Sequence, residues 1–204
     1  MSTAPLIGIS RHRLVTDGDG ITSLVAFHEC TLRCAYCLNR QCLRKDGVWK
    51  TATPEEVFEE VRKDELYFLA TGGGVCFGGG EPTLRVEFIE EFCKLCDEEW
   101  LITIETALNV PSENIRRLLP LADHWIVDIK DMNPEIYKSY TQRGNERVIS
   151  NLKILAEAGA EVTIRVPLIP KYNSESDVEA SIEKLKALGF SNFDKFSYIT
   201  EINK

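Results

Sequence analysis

Ile21-Thr22-Ser23-Leu24-Val25-Ala26-Phe27 is an apolar run preceded by turn formers, and just beyond it the chain enters Cys30-Thr31-Leu32-Arg33-Cys34-Ala35-Tyr36-Cys37. The run reads as a buried strand that delivers a cysteine loop at its C-terminal end. Three thiols at spacings of four and three residues can point from one tight loop onto a single metal centre. Two inorganic centres compete for them. Structural zinc takes four N or S ligands in a tetrahedron, and the fourth would be His28 or Cys42. A cubane iron-sulfur cluster normally takes four cysteines, so three leave one iron open to a substrate or cofactor.

Outward from this stretch, residues 1 to 20 read as loop, with Asp17-Gly18-Asp19-Gly20 as a turn. On the other side, Thr53-Pro54-Glu55-Glu56 opens a helix running to about Ala70, with Thr as N-cap, Pro at the first helical position and a capping-box Glu. Short apolar strands then alternate with helical patterns. The strands are Val75–Phe77, Leu101–Thr106, His124–Lys130, Glu161–Pro167 and Lys195–Thr200. The helices are Val86–Trp100, Ser112–Ala122, Pro134–Tyr140, Ser150–Ala158 and Ser176–Leu188. Six strands separated by helices predict an α/β protein with a parallel sheet and right-handed crossovers. Without a seventh or eighth unit this is a partial, open (β/α)6 TIM-like barrel; a doubly wound sheet fits the same pattern. A single domain spanning 1–204 is expected, since the chain is long enough for one core and short for two.

A net charge of -8 argues against a nucleic-acid partner, which wants a basic face. No run approaches the ~20 apolar residues of a membrane span, and the first residues lack the pattern of a secretory leader. A cytoplasmic location and no membrane partner are expected. Seven cysteines, an odd number, suit a reducing compartment better than a disulfide framework.

In either sheet the ligand site lies at the carboxyl ends of the strands. Gly78-Gly79-Gly80-Glu81-Pro82 falls there, and its glycines permit close approach of backbone to a ligand. By strand alternation Glu105, Asp128, Lys130 and Arg165 face inward, while Ile102, Ile104, Trp125, Val127 and Ile129 face helices. Structural ion pairs are the alternative for these charges, because unpaired they are costly to bury. Cys76, Cys93 and Cys96 read as core residues and Cys42 as a free thiol; His12 and His28 have no partner visible in the sequence.

The Cys30–Cys34–Cys37 spacing, with Tyr36 just before the last cysteine, resembles the signature of radical S-adenosylmethionine (SAM) enzymes. The resemblance implies that Cys30, Cys34 and Cys37 bind a [4Fe-4S] cluster whose open iron chelates SAM. Electron transfer into the sulfonium would release a 5'-deoxyadenosyl radical. Gly79, Gly80 and Glu81 match the family's GGE motif and imply contacts to the SAM amino group. Tyr36, Glu105, Asp128, Lys130 and Arg165 are the further candidates for holding SAM, a cation or a substrate carboxylate.

Other stretches resemble one branch, the activating enzymes of glycyl radical enzymes. These are Asp17-Gly18-Asp19-Gly20-Ile21, Asn39, Val127-Asp128-Ile129-Lys130 with Asn133-Pro134-Glu135 and Tyr140-Thr141, and Arg165-Val166-Pro167-Leu168-Ile169-Pro170. This implies hydrogen abstraction from a glycine of a partner enzyme, with a flavodoxin or ferredoxin-type electron donor. Asp19 departs from the branch's Pro, Glu105 from its Asp and Ile199 from its sixth-strand His, and no C-terminal extension follows. A radical SAM enzyme acting on a peptide or small molecule, and a zinc-stabilised binding module, are the competing readings.

Overall fold

The structure, a computed structural model, describes residues 2–14, 16–96 and 98–198. Eight strands form one sheet among them: β1 (Ala4–Arg13), β2 (Thr22–Phe27), β3 (Lys50–Ala52), β4 (Gly74–Gly79), β5 (Leu101–Thr106), β6 (His124–Asp128), β7 (Val162–Leu168) and β8 (Phe193–Ser197). Their spatial order is β3-β1-β2-β4-β5-β6-β7-β8. From β2 to β8 every neighbouring pair is parallel. These are the six strands expected from the pattern, in chain order. The two end strands do not pair with each other, so the sheet curves as an open partial barrel, and the doubly wound order is excluded.

The N-terminal residues, expected as loop, are instead strand β1, antiparallel to β2 and covered on its outer side by β3 at Ala4–Leu6. The alternation that marks a half-buried strand is blurred in Ala-Pro-Leu-Ile-Gly-Ile-Ser-Arg-His-Arg. It carries Pro5 and Gly8, and its register against β2 shifts twice. β3 has only three residues, too few for any period to show.

Helices cover the outer face. The single helix expected from Thr53 is two, α1 (Pro54–Val61) and α2 (Glu65–Thr71), separated by a 3-10 turn at Arg62–Asp64. The capping box forms as expected, with Thr53 accepting from the Glu56 amide. At the break sits the fully buried Asp64, whose carboxylate accepts from Arg11 Nε at 2.7 Å and Ser23 Oγ at 2.8 Å and lies 2.9 Å from His12 Nε2. A buried carboxylate must find such partners, and meeting β1 and β2 bends the chain there. The next helix, α3 (Val86–Cys93), stops short of Trp100, whose indole instead packs on Phe58 and Phe68 at 5.5 and 5.1 Å. α4 (Ser112–Leu118), α5 (Pro134–Thr141), α6 (Glu146–Glu157) and α7 (Glu175–Ala187) complete the layer.

Between helices and sheet, Phe27, Phe77, Ile104, Trp125, Val127 and Ile164 are fully buried. That core fixes each strand's face, so the alternate side chains of the same strands must line the barrel. At the strands' amino ends the turn at 16–20 plugs the barrel. Asp17 is buried against Arg13, and a Cβ on Gly18, at φ +117, would lie 2.7 Å from Thr103 Oγ1. No helix among the described residues is long and apolar enough to cross a membrane.

Candidate active site

The cysteine loop is held from three sides. At its start Glu29 adopts φ 77, its amide donates to the Cys42 carbonyl, and its own carbonyl accepts from the Glu81 amide at 2.7 Å. Gly80 donates to Phe27 O at 2.9 Å; a Cβ on Gly80 would stand 2.0 Å from Glu29 O, so only glycine admits this contact. In the middle of the loop Leu32 is buried in the core. On the far side the amides of Arg33 and Ala35 donate to Thr141 O and Tyr140 O, two carbonyls of the last turn of α5. A helix C-terminus leaves such carbonyls without intrahelical partners, and the cysteine loop satisfies them. Asn39 closes the ring, its amide donating to Gly79 O at 2.8 Å.

Cys30, Cys34 and Cys37 line one cavity of about 120 Å³ together with Tyr36. Gly79, Gly80, Glu105, Asp128 and Lys130 line the same cavity, so the structure brings these candidates together. Thr106, Ala107, Tyr140 and Tyr198, which sequence reasoning had not assigned, complete the lining. The strand ends Thr106 and Tyr198 carry no special spacing, and only the curvature of the sheet reveals them. Through Leu38, Asn39, Gly79 and Glu105 this cavity adjoins a chamber of about 650 Å³ inside the barrel. Arg165 lines the larger chamber, not the smaller one.

The inward charges pair as the alternative reading anticipated. Lys130 Nζ is 3.2 Å from Asp128 Oδ2 and donates to Tyr198 OH at 3.2 Å. Burial opposes its charge, yet Asp128 and the surrounding phenols and thiols hold its pKa well above the ordinary value. Arg165 Nη1 is 3.1 Å from Glu105 Oε1, and a second guanidinium nitrogen donates to Thr16 O in the plug. Burial, reinforced by Asp128, pushes Glu105 up to about 7 despite that arginine.

Glu81 has a different place from its glycine neighbours. Its carboxylate is completely buried and does not line the cavity. One oxygen accepts from Thr83 Oγ1 and Thr106 Oγ1, each at 2.7 Å, and from Thr83 N at 3.3 Å; the other accepts from Ala107 N at 3.1 Å. It clamps the end of β4 to the end of β5, and the glycine backbone is what faces the cavity.

Burial pushes the thiols of Cys30 and Cys34 up to about 12 and about 11. A hydrogen bond from the Cys42 thiol, helped by the Asn39 amide, holds Cys37 down to about 6. Cys42, read as a free thiol, is buried beside Cys37 and is itself pushed up by that contact. His28 turns away, its Nε2 2.7 Å from Arg44 O, and His12 lies against Asp64. Cys76 is fully buried, while Cys93 and Cys96 are half-buried against the core, as read from the pattern. Ile199 lies outside the described residues.

Comparison with known proteins identifies the family of the chain. Residues 24–185 match the family model described as the radical SAM superfamily. The chain is 39% identical over 127 residues to the (2S)-3-sulfopropanediol dehydratase activating enzyme of Klebsiella oxytoca, a match spanning 62% of this chain and 40% of that protein. It is 33% identical over 171 residues to the pyruvate formate-lyase-activating enzyme of Clostridium pasteurianum, covering 84% of this chain and 70% of that one. The fold superposes on Streptococcus suis SuiB bound to S-adenosylmethionine with a TM-score of 0.67 at 16% identity, over 88% of this chain and 43% of SuiB. The chain belongs to the radical SAM superfamily, and enzymes that activate other enzymes are among its relatives.

Proposed function

We propose that this protein activates a glycyl radical enzyme, holding a [4Fe-4S] cluster through Cys30, Cys34 and Cys37 and binding SAM beside it. The observation that carries the reading is the placement of three thiols and two glycines in the lining of one cavity that adjoins a larger chamber. The donor set fits such a cluster. Burial disfavours the thiolates of Cys30 and Cys34, and the concentrated positive charge of bound iron would offset it.

When bound, the cluster and SAM together supply a 5'-deoxyadenosyl radical, and the chain's residues position and shield it. Gly79 and Gly80 let backbone carbonyls and amides approach SAM where side chains would block it. Lys130 and Asp128, buried and paired, offer one donor and one acceptor at the cavity wall, suited to a ribose or a carboxylate. Arg165 and Glu105 place a second charge pair where the two cavities meet. The barrel chamber, about 650 Å³, is large enough to admit a peptide segment bearing the reactive glycine. A flavodoxin or ferredoxin-type protein is the electron donor in this reading.

The test is anaerobic reconstitution with iron and sulfide, followed by assay of 5'-deoxyadenosine with SAM and dithionite and of a glycyl radical signal on adding the partner enzyme. Wild type should form both, and Cys34→Ala neither. Turnover retained by Cys34→Ala, or a colourless zinc protein, would overturn the cluster assignment. 5'-Deoxyadenosine formed without any glycyl radical on the partner would leave the cofactor reading intact and reject the partner.

A further inference from the structure

Most arginines in this acidic chain are spent on carboxylates: Arg11, Arg44, Arg85 and Arg117 hold Asp64, Asp46, Glu29 and Glu90 respectively. Three are arranged differently. Arg33 donates to Cys30 O and Leu32 O at 2.8 Å, Arg143 to Thr31 O at 3.2 Å, and Arg40 to Ala35 O at 3.1 Å. All three are exposed, and none has a carboxylate within ion-pair distance among the described residues. Residues 30–45 contain no Asp or Glu at all, in a chain of net charge -8. A fourth exposed cation, Lys171, stands next to Tyr172, whose ring meets Tyr36 of the cysteine loop edge-on at 5.7 Å. None of the four lines either cavity.

The four exposed charges therefore collar the cysteine loop without lining either cavity. We propose that this collar is the docking surface for an acidic one-electron carrier protein. The inference rests on the cluster reading given above. In the step it serves, one electron leaves the reduced carrier and enters the cluster; no proton or group moves. The net charge of -8 opposes the approach of such a carrier to the molecule as a whole, so a local cluster of cations both attracts and orients it. Docking there sets the carrier against the loop that bears the thiols, whose carbonyls these arginines hold. A long polyanion fits poorly, because the patch covers one loop and the charge around it has the opposite effect.

The experiment uses the reconstituted protein and a recombinant flavodoxin of net negative charge. Binding is measured by anaerobic calorimetry at about 20 mM and about 500 mM salt, which moves the screening length from roughly 20 Å to a few ångströms. Arg40→Glu/Lys171→Glu should bind flavodoxin about tenfold or more weakly at low salt, with the difference collapsing at high salt. Lys171→Glu alone, which disturbs no loop hydrogen bond, should show about a threefold loss. In Lys171→Glu flavodoxin-driven 5'-deoxyadenosine formation should fall in parallel, while dithionite-driven formation and iron content match wild type. Equal low-salt affinities for wild type and the double variant would overturn the proposal. Absence of dithionite-driven product in wild type would instead reject the cofactor reading, and the calorimetry would still decide the docking surface.

Discussion

Replacing Glu81 separates a clamp from a ligand contact. Its two oxygens accept four hydrogen bonds from Thr83 and Thr106 hydroxyls and from the Thr83 and Ala107 amides, in a site with no solvent exposure. In Glu81→Ala the hydroxyls can rotate to other acceptors, but both amides are left buried without one. Each orphaned amide costs about 1–3 kcal/mol, and the void left by the side chain adds to this. The total is about 3–5 kcal/mol, or roughly 10 °C in Tm for a domain of this size. Glu81→Gln keeps an amide oxygen for Ala107 N–H, while its NH2 donates to the threonine hydroxyl oxygens; only the long Thr83 N–H contact is lost, at about 1 kcal/mol. Urea unfolding of the cluster-free protein under reducing, anaerobic conditions reads these differences without any contribution from SAM. An Ala variant within about 1 kcal/mol of wild type, or a Gln variant as unstable as Ala, would refute the clamp. If the clamp is right, Glu81→Gln should also retain SAM binding, since the glycine backbone stays in place.

Three further outcomes follow from the geometry. Gly80→Ala must move the Glu29 carbonyl, 2.0 Å from the new Cβ, and should cost about 3 kcal/mol or more and lower iron incorporation; full iron content would show that the loop entry adapts. Glu105, raised from 4.5 to about 7, keeps its proton longer in the folded than in the unfolded protein, so its contribution falls as pH rises through that window. Cluster-free wild type should lose up to about 3 kcal/mol relative to Glu105→Gln between the two values, and parallel pH–stability curves would reject the shift. Asp64 is held below its ordinary value of 3.8: burial opposes its ionisation, and Arg11, Ser23 and His12 outweigh it. The stability it adds is present above that value and lost below it, so Asp64→Asn should be destabilised by about 1–3 kcal/mol at neutral pH, with the gap closing toward pH 2; a gap that persists there would assign the effect to packing.

Local pattern determined much of this protein. The six parallel strands were legible because each carries one apolar face, and Ile102, Ile104, Trp125 and Val127 can be buried only if Glu105, Asp128 and Lys130 turn inward. The thiol spacing and the glycine turn were legible because both are short-range features of consecutive residues. Strands β1 and β3 were not, since pairing with β2 rather than any periodicity of their own holds them in the sheet. Nor was the break at Asp64, which depends on partners 41 and 53 residues away.

Tertiary structure alone decided that Glu81 faces the scaffold, that Cys42 sits beside Cys37, and that Tyr140 and Thr141 receive the cysteine loop. It also decided that Arg33, Arg40 and Arg143 meet carbonyls of the cysteine loop and not a carboxylate. The physical reason is common to these cases. Alternation and spacing assign a side chain to a face, but the partner of a buried polar group is chosen by whichever distant segment the sheet's curvature brings within hydrogen-bond reach.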